Sequence, residues 1–215
     1  RPQPLTIYGP QGVAEVTNGV NATYRQDRIH RTGHHGEDLL PPALGVLAHK
    51  TIVPGIILDD GDLKITAYIA SHPPIHPAVG YRFDYRGRSV VISGDSNVTS
   101  ETLKIVDGAD LLLHDALSLP TVTALSEALG AVGQSRQSKI VSDVMDYHAS
   151  TDALIVLAEQ SNVDMVAFYH LVPVPPNSVV EDIFMRGAPD NFLLTEDLMW
   201  FDLPIDSDDI IVHRP

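Results

Sequence analysis

Downstream of Ile52 the chain alternates short apolar runs with turn-forming residues. Leu63, Ile65, Ala67 and Ile69 alternate with Lys64, Thr66 and Tyr68, which predicts a strand over 63–70 with one buried face. Asp59-Asp60-Gly61-Asp62 predicts a hairpin turn between that strand and one over 56–58. Further strands are predicted over 81–85 and 90–92, joined by a turn at Arg86-Gly87-Arg88. Thr99 or Ser100 can cap a short helix over 101–106, which Gly108-Ala109-Asp110 ends. Leu111-Leu112-Leu113 then reads as a strand buried on both faces. Residues 120–146 predict helix in two pieces broken around 130–133. Ser150 or Thr151 caps a helix over 152–160, and 165–169 is a strand. A helix over 178–185 and strands over 191–194 and 198–202 follow.

The earlier part of the chain is less regular. Leu5-Thr6-Ile7-Tyr8 reads as a strand and Gly9-Pro10-Gln11-Gly12 as a turn. From there to residue 47 no period is clean, and His30, His34 and His35 fall in what reads as helix followed by loop. Hairpins early and helices between the later strands make the fold class α/β with a mixed sheet. No repeat, low-complexity tract or linker interrupts it, so 1–215 reads as a single domain ending in an acidic tail at 206–209.

Composition narrows what such a fold does. Hydrophobic residues are 44 % and charged residues 20 % of the chain, the balance of a protein with a buried core. No apolar run nears the roughly 18 residues of a membrane span, so no membrane role is expected. Fourteen Lys and Arg against 28 Asp and Glu give a net charge of −14, which disfavours nucleic acid as a partner. With no cysteine, disulfides and thiolate zinc sites are excluded. Ten histidines point instead to metal or acid–base chemistry.

The histidines and acids that matter stand where apolar strands stop. Ile69-Ala70-Ser71 leads into His72, Val90-Val91-Ile92-Ser93-Gly94 into Asp95, and Val166-Ala167-Phe168-Tyr169 into His170. A fourth run, Leu111-Leu112-Leu113, leads into His114-Asp115. Loops beyond strand ends converge in α/β sheets, and imidazole with carboxylate suits zinc, manganese or iron. His34, His35, His49 and His213 read as residues outside any site. Asn21-Ala22-Thr23 and Asn97-Val98-Thr99 match the glycosylation sequon.

Those runs carry a resemblance. Ser71-His72-Pro73-Pro74-Ile75-His76-Pro77, Gly87 to Ser96, Gly108 to Asp115, Tyr147-His148-Ala149-Ser150-Thr151 and Phe168-Tyr169-His170, in that order, resemble the metallo-β-lactamase superfamily. The resemblance is to the branch of ribonuclease Z and the metallo-β-lactamase-type arylsulfatases. It implies a four-layer αββα sandwich. The family's His-x-His-x-Asp-His motif is not in this sequence, and Leu5 to Pro10 resembles the segment that follows it. The resemblance therefore implies a motif-bearing segment upstream of Arg1 and a first sheet incomplete at its N-terminal side.

Position by position, the resemblance makes His72 a ligand of one divalent ion, His170 a ligand of a second, and Asp95 the carboxylate that bridges them. It makes His148 a proton donor to the leaving group or a ligand for the developing oxyanion, with Asp115 standing where relatives carry Glu and orienting it; His114 is structural. His76 is read as a loop residue at the mouth of the site, near substrate. The expected activity is hydrolysis of a phosphodiester or sulfate ester, with a small anionic ester as the substrate. Lactone-type acyl hydrolysis would use the same metals, and a non-catalytic scaffold with an incomplete metal site is the alternative from another class. A homo-oligomer, or association with the upstream segment, is expected to cover the apolar edge near Leu5.

Overall fold

Turn chemistry sets the order in which the strands meet. The computed structural model describes residues 3–215, and its backbone groups into two compact units, Arg1–Val53 and Pro54–Pro215. Arg1 and Pro2, where the expected upstream segment would join, lie outside the described residues.

In the first unit β1 (Leu5–Gly9) pairs in parallel with β2 (Leu47–Thr51), Leu5 opposite Leu47. Between them run α1 (Val13–Thr23) and α2 (Arg25–His35). The stretch read as one helix and a loop is thus two helices, a loop and a strand. The second helix was not legible because it buries no residue, so it has no apolar stripe to give a period. Arg31 Nε meets Asp27 Oδ2 at 2.8 Å one turn back, and Arg28 donates to the Asn21 carbonyl at 2.8 Å. His30, His34 and His35 lie exposed on this helix. Asn21 accepts from the Leu47 N–H at 2.9 Å and donates to its carbonyl at 2.8 Å. That side-chain amide ties α1 to β2, which gives its sequon a structural reason.

The second unit holds one seven-stranded sheet. Its strands are β3 (Gly55–Asp59), β4 (Leu63–His72), β5 (Ile75–Tyr85), β6 (Arg88–Ile92), β7 (Leu111–Leu117), β8 (Met165–Val172) and β9 (Phe192–Leu194), in that spatial order. Pairs from β3 to β6 are antiparallel and those from β6 to β9 are parallel. The β3–β4 turn is held by Asp60, whose Oδ1 accepts from the Leu63 N–H at 2.8 Å. At the β5–β6 turn Arg86 and Gly87 both have positive φ, 48° and 85°. A two-residue hairpin of type I′ needs that handedness at both central positions.

Helices α3 (Ser100–Val106), α4 (Leu119–Ala131), α5 (Ser135–Asp143), α6 (Thr151–Gln160) and α7 (Ser178–Phe184) link the later strands. Thr99 caps α3 in a reciprocal box with Thr102, and Ser150 Oγ caps α6 through the Ala153 N–H at 3.2 Å. Leu154 and Leu157 of α6 join Val91, Leu112, Val166, Phe168 and Phe184 in the buried core. Each such aliphatic burial contributes about 1.5–3 kcal/mol.

Three expectations change here. The buried face of β4 switches along its length: Tyr68 and Ala70 are buried, while Ile69 is 37 % exposed. Strands β7 and β8 continue through His114-Asp115 and His170, where polar residues had read as strand ends. The acidic segment 206–209 is no free tail. It lies between β10 (Trp200–Asp202) and β11 (Ile211–His213), which pair antiparallel. The Asp209 carbonyl accepts from Arg88 at 3.1 Å, and the Ser207 carbonyl accepts from it too. Arg88 is itself buried against Asp110 at 2.9 Å.

Candidate metal centre

Sheet direction brings the predicted residues together. Both β4 and β6 run antiparallel to β5, so they share a direction, and β7 and β8 run parallel to β6. The C-terminal ends of these four strands therefore lie on one edge of the sheet. His72 closes β4, Asp95 follows β6, Asp115 lies in β7 and His170 in β8.

Local irregularities aim the side chains. On β8, Tyr169 pairs with Asp115 and Leu171 with Ala116, leaving His170 as the extra residue of a bulge. His170 has φ 44°, unusual outside glycine. Bulges re-aim side chains at sheet rims. A second register shift on β4 separates Ala70 from His72, and the Ser71 between them bridges to Asn97. Asn97 also donates to the Asp146 carbonyl at 2.7 Å, fastening the loop before His148. Gly94, φ 66°, lies so close to the Val79 carbonyl that a Cβ there would stand 2.9 Å from its oxygen. Only glycine fits that turn, and the turn delivers Asp95.

Asp95 Oδ2 lies 3.4 Å from His170 Nε2 and 3.9 Å from His72 Nε2. Two donors on one tetrahedral zinc, each about 2.0–2.1 Å from it, lie about 3.3 Å apart. The pair with His170 already has that spacing, and the pair with His72 is within about half an ångström of it. His148 completes the group: it, His72 and Asp95 each offer a ligand atom within 4.8 Å of the others. Its ring is 5.6 Å from that of His72 and 5.3 Å from that of His170.

Asp115 reaches His148. His148 Nδ1 lies 2.7 Å from Asp115 Oδ2, with the carboxylate fully buried. A carboxylate only accepts, so Nδ1 carries the hydrogen and Nε2 is left for the centre. Asp115 Oδ1 accepts from the Ser96 N–H at 3.1 Å. The sequence reading missed Ser96, and it missed the two tyrosines beside the histidines. Tyr147 lies against His72 and His148, at 4.8 and 5.0 Å between ring centres. Burial raises the Tyr169 phenol above the usual range, against hydrogen bonds with Ser93 and Gly94 that lower it. Both adjoin a predicted histidine in sequence, which was the available signal. His76 is exposed on β5, and no hydrogen bond or ion pair joins it to these residues.

Among solved structures, human tRNase Z, short form, matches with a TM-score of 0.58 at 18 % identity, over 94 % of this chain and 69 % of that one. The metallo-β-lactamase fold protein YhfI from Bacillus subtilis matches at 0.57 and 13 %, over 90 % and 63 %. The chain has the metallo-β-lactamase fold. No family model matches it. In sequence this metallo-β-lactamase-fold chain is similar to ribonuclease Z of Mycobacterium avium (strain 104), 30 % identical over 172 residues. That match covers 80 % of the chain and 56 % of the relative, so the chain spans little more than half of the protein it resembles.

These relatives overturn one expectation. A small anionic ester was expected as the substrate and nucleic acid was disfavoured, yet the relatives are by name a ribonuclease and a transfer-RNA nuclease. The inference failed because −14 is a sum over the whole chain. It does not fix the sign of the field at a cleft that holds divalent cations. Among the described residues no helix is long and apolar enough to cross a membrane.

Proposed function

We propose that this protein is a metal-dependent phosphodiesterase acting on RNA. The observation that carries the reading is the convergence of His72, Asp95, His148 and His170 on one sheet edge of a metallo-β-lactamase fold. The similarity to ribonuclease Z supports the choice of substrate. In this reading His72 would hold one divalent ion, His170 would hold a second, and Asp95 would serve both. Imidazole and carboxylate donors suit zinc, with manganese or iron as alternatives. When bound, such ions supply Lewis acidity toward the phosphoryl oxygens and toward water.

The chain's own residues supply the rest. His148 is backed by a buried carboxylate that holds its Nδ1–H, so Nε2 can deliver a proton to the leaving oxygen. Asp115 fixes the tautomer. The spacing of His72, Asp95 and His148 also favours a second reading, in which His148 is itself a ligand. A ligating histidine commonly hands its other N–H to a carboxylate, as here.

The test is cleavage of a precursor transfer-RNA transcript by metal-replete protein, with metal content measured in parallel. Cleavage abolished by a chelator and restored by zinc or manganese supports the reading. A protein that binds no metal under replete conditions and cuts no RNA is the scaffold instead. An aryl sulfate ester, which offers similar anionic oxygens, serves as the competing substrate.

A further inference from the structure

Asp115 is gripped from a side that the proposed chemistry does not use. His114, fully buried beside it in β7, places Nδ1 2.9 Å from Asp115 Oδ1 and 2.8 Å from the Asp115 carbonyl. The carbonyl accepts the hydrogen bond, so Nδ1 carries the hydrogen, and the approach to Oδ1 is an electrostatic contact beside it. His114 Nε2 is buried and has no hydrogen-bond partner among the described residues. Burying an unsatisfied imidazole nitrogen is costly, and an aliphatic side chain of similar volume would fill the space without that cost. Core filling therefore does not account for a histidine here, whereas a donor aimed at Asp115 does.

We infer that His114 is a positioning residue for His148, acting through Asp115. Its Nδ1–H holds the Asp115 backbone carbonyl, and the Ser96 N–H holds Oδ1. With the backbone carbonyl held by His114 and Oδ1 held by Ser96, Oδ2 stays directed at His148 Nδ1. Ser93 fixes the backbone as well, its Oγ accepting from the Asp115 N–H at 3.2 Å. The relay thus runs His114, Asp115, His148, with only its last member facing the metal centre. The inference rests on His148 being a working residue of the proposed site.

Nitrogen NMR of the histidine rings, recorded on chelator-treated protein without substrate, tests it. In the wild type His148 should show a protonated Nδ1 whose hydrogen exchanges slowly. His114→Leu should lose that signal, its two ring nitrogens averaging as the tautomers mix. His114→Asn, whose amide N–H overlies Nδ1–H, should keep the signal, whereas His114→Gln, whose amide reaches toward Nε2, should not. With metal restored, His114→Leu should lower kcat about tenfold or more at an unchanged KM, the usual effect of a residue supporting a site residue. A folded His114→Leu with an unaltered His148 spectrum overturns the inference. If His114→Leu does not fold, the Asn and Gln variants decide, and equal behaviour of those two overturns it. An altered spectrum in a protein whose wild type cuts no RNA supports the relay and defeats the proposed substrate instead.

Discussion

Asp115→Asn separates charge from shape at the centre of the site. The buried carboxylate accepts two hydrogen bonds, from Ser96 N–H on one oxygen and from His148 Nδ1–H on the other, and His114 Nδ1 lies 2.9 Å from the first of those oxygens. Asparagine keeps one acceptor and gains a donor. The Ser96 N–H donates to Oδ1 and His114 Nδ1 lies beside it, so the amide oxygen settles there and its NH2 meets His148 Nδ1. Two N–H groups cannot face each other, and His148 must shift its proton to Nε2 or swing away. One charge-assisted bond is lost, about 1.5–3 kcal/mol. A domain with about 5–15 kcal/mol of stability survives that. Asp115→Ala strands both donors, roughly twice as much, and loss of folding would then mask the chemistry. With its proton misplaced, His148 cannot serve the leaving group, and turnover should fall about 10²–10⁴-fold, or about 3–5 kcal/mol of barrier. The assay pairs RNA cleavage with metal content and urea unfolding. An Asp115→Asn enzyme that keeps its metal and stays within about threefold of wild-type turnover refutes the role given to the pair.

Asp95→Ala should empty the centre, abolishing metal content and cleavage together, because the other described donors close to His72 and His170 are neutral imidazoles. His148→Ala should keep the metal and lower turnover about 10²–10⁴-fold, with a smaller penalty on a nitrophenyl phosphodiester whose leaving anion needs little protonation. Metal loss in His148→Ala, measured by mass spectrometry, would instead favour the ligand reading. Gly94→Ala places a Cβ against the Val79 carbonyl at positive φ, and should cost about 2–4 kcal/mol in urea unfolding while displacing Asp95; near-wild-type stability and metal content would contradict this account of the turn. Tyr68 has a buried hydroxyl with no partner among the described residues, so Tyr68→Phe should be neutral or stabilising by about 1–3 kcal/mol. Burial also raises the Tyr68 phenol well above the usual range; its contribution is complete below an unfolded value of about pH 10 and is lost as pH rises beyond it. The variant should therefore lose less stability than the wild type on going above pH 10, and an equal loss in both refutes that assignment.

What was legible in the sequence follows from local chemistry. Alternation in 63–70, turn residues at 59–62 and 86–88, and the caps Thr99 and Ser150 act within a few positions, so the strands, hairpins and helices they specify appear close to where they were read. His72, Asp95 and His170 were visible because each follows an apolar run, and the order of the motifs carried the family. Helix α2 escaped because it buries nothing, and its pairs are charged neighbours and backbone carbonyls rather than an apolar face. His114 and Asp115 read as the end of a strand because burying polar residues is unfavourable in isolation; partners on Ser96 and His148, distant in sequence, make it tolerable. Likewise Arg88 and the acidic segment after Ser207 are about 120 positions apart, and only the closed chain lets those carbonyls bind its guanidinium. The sequence determined which groups could hold a metal or a proton. Strand direction, two bulges and a buried carboxylate, all products of long-range contacts, decided that they meet.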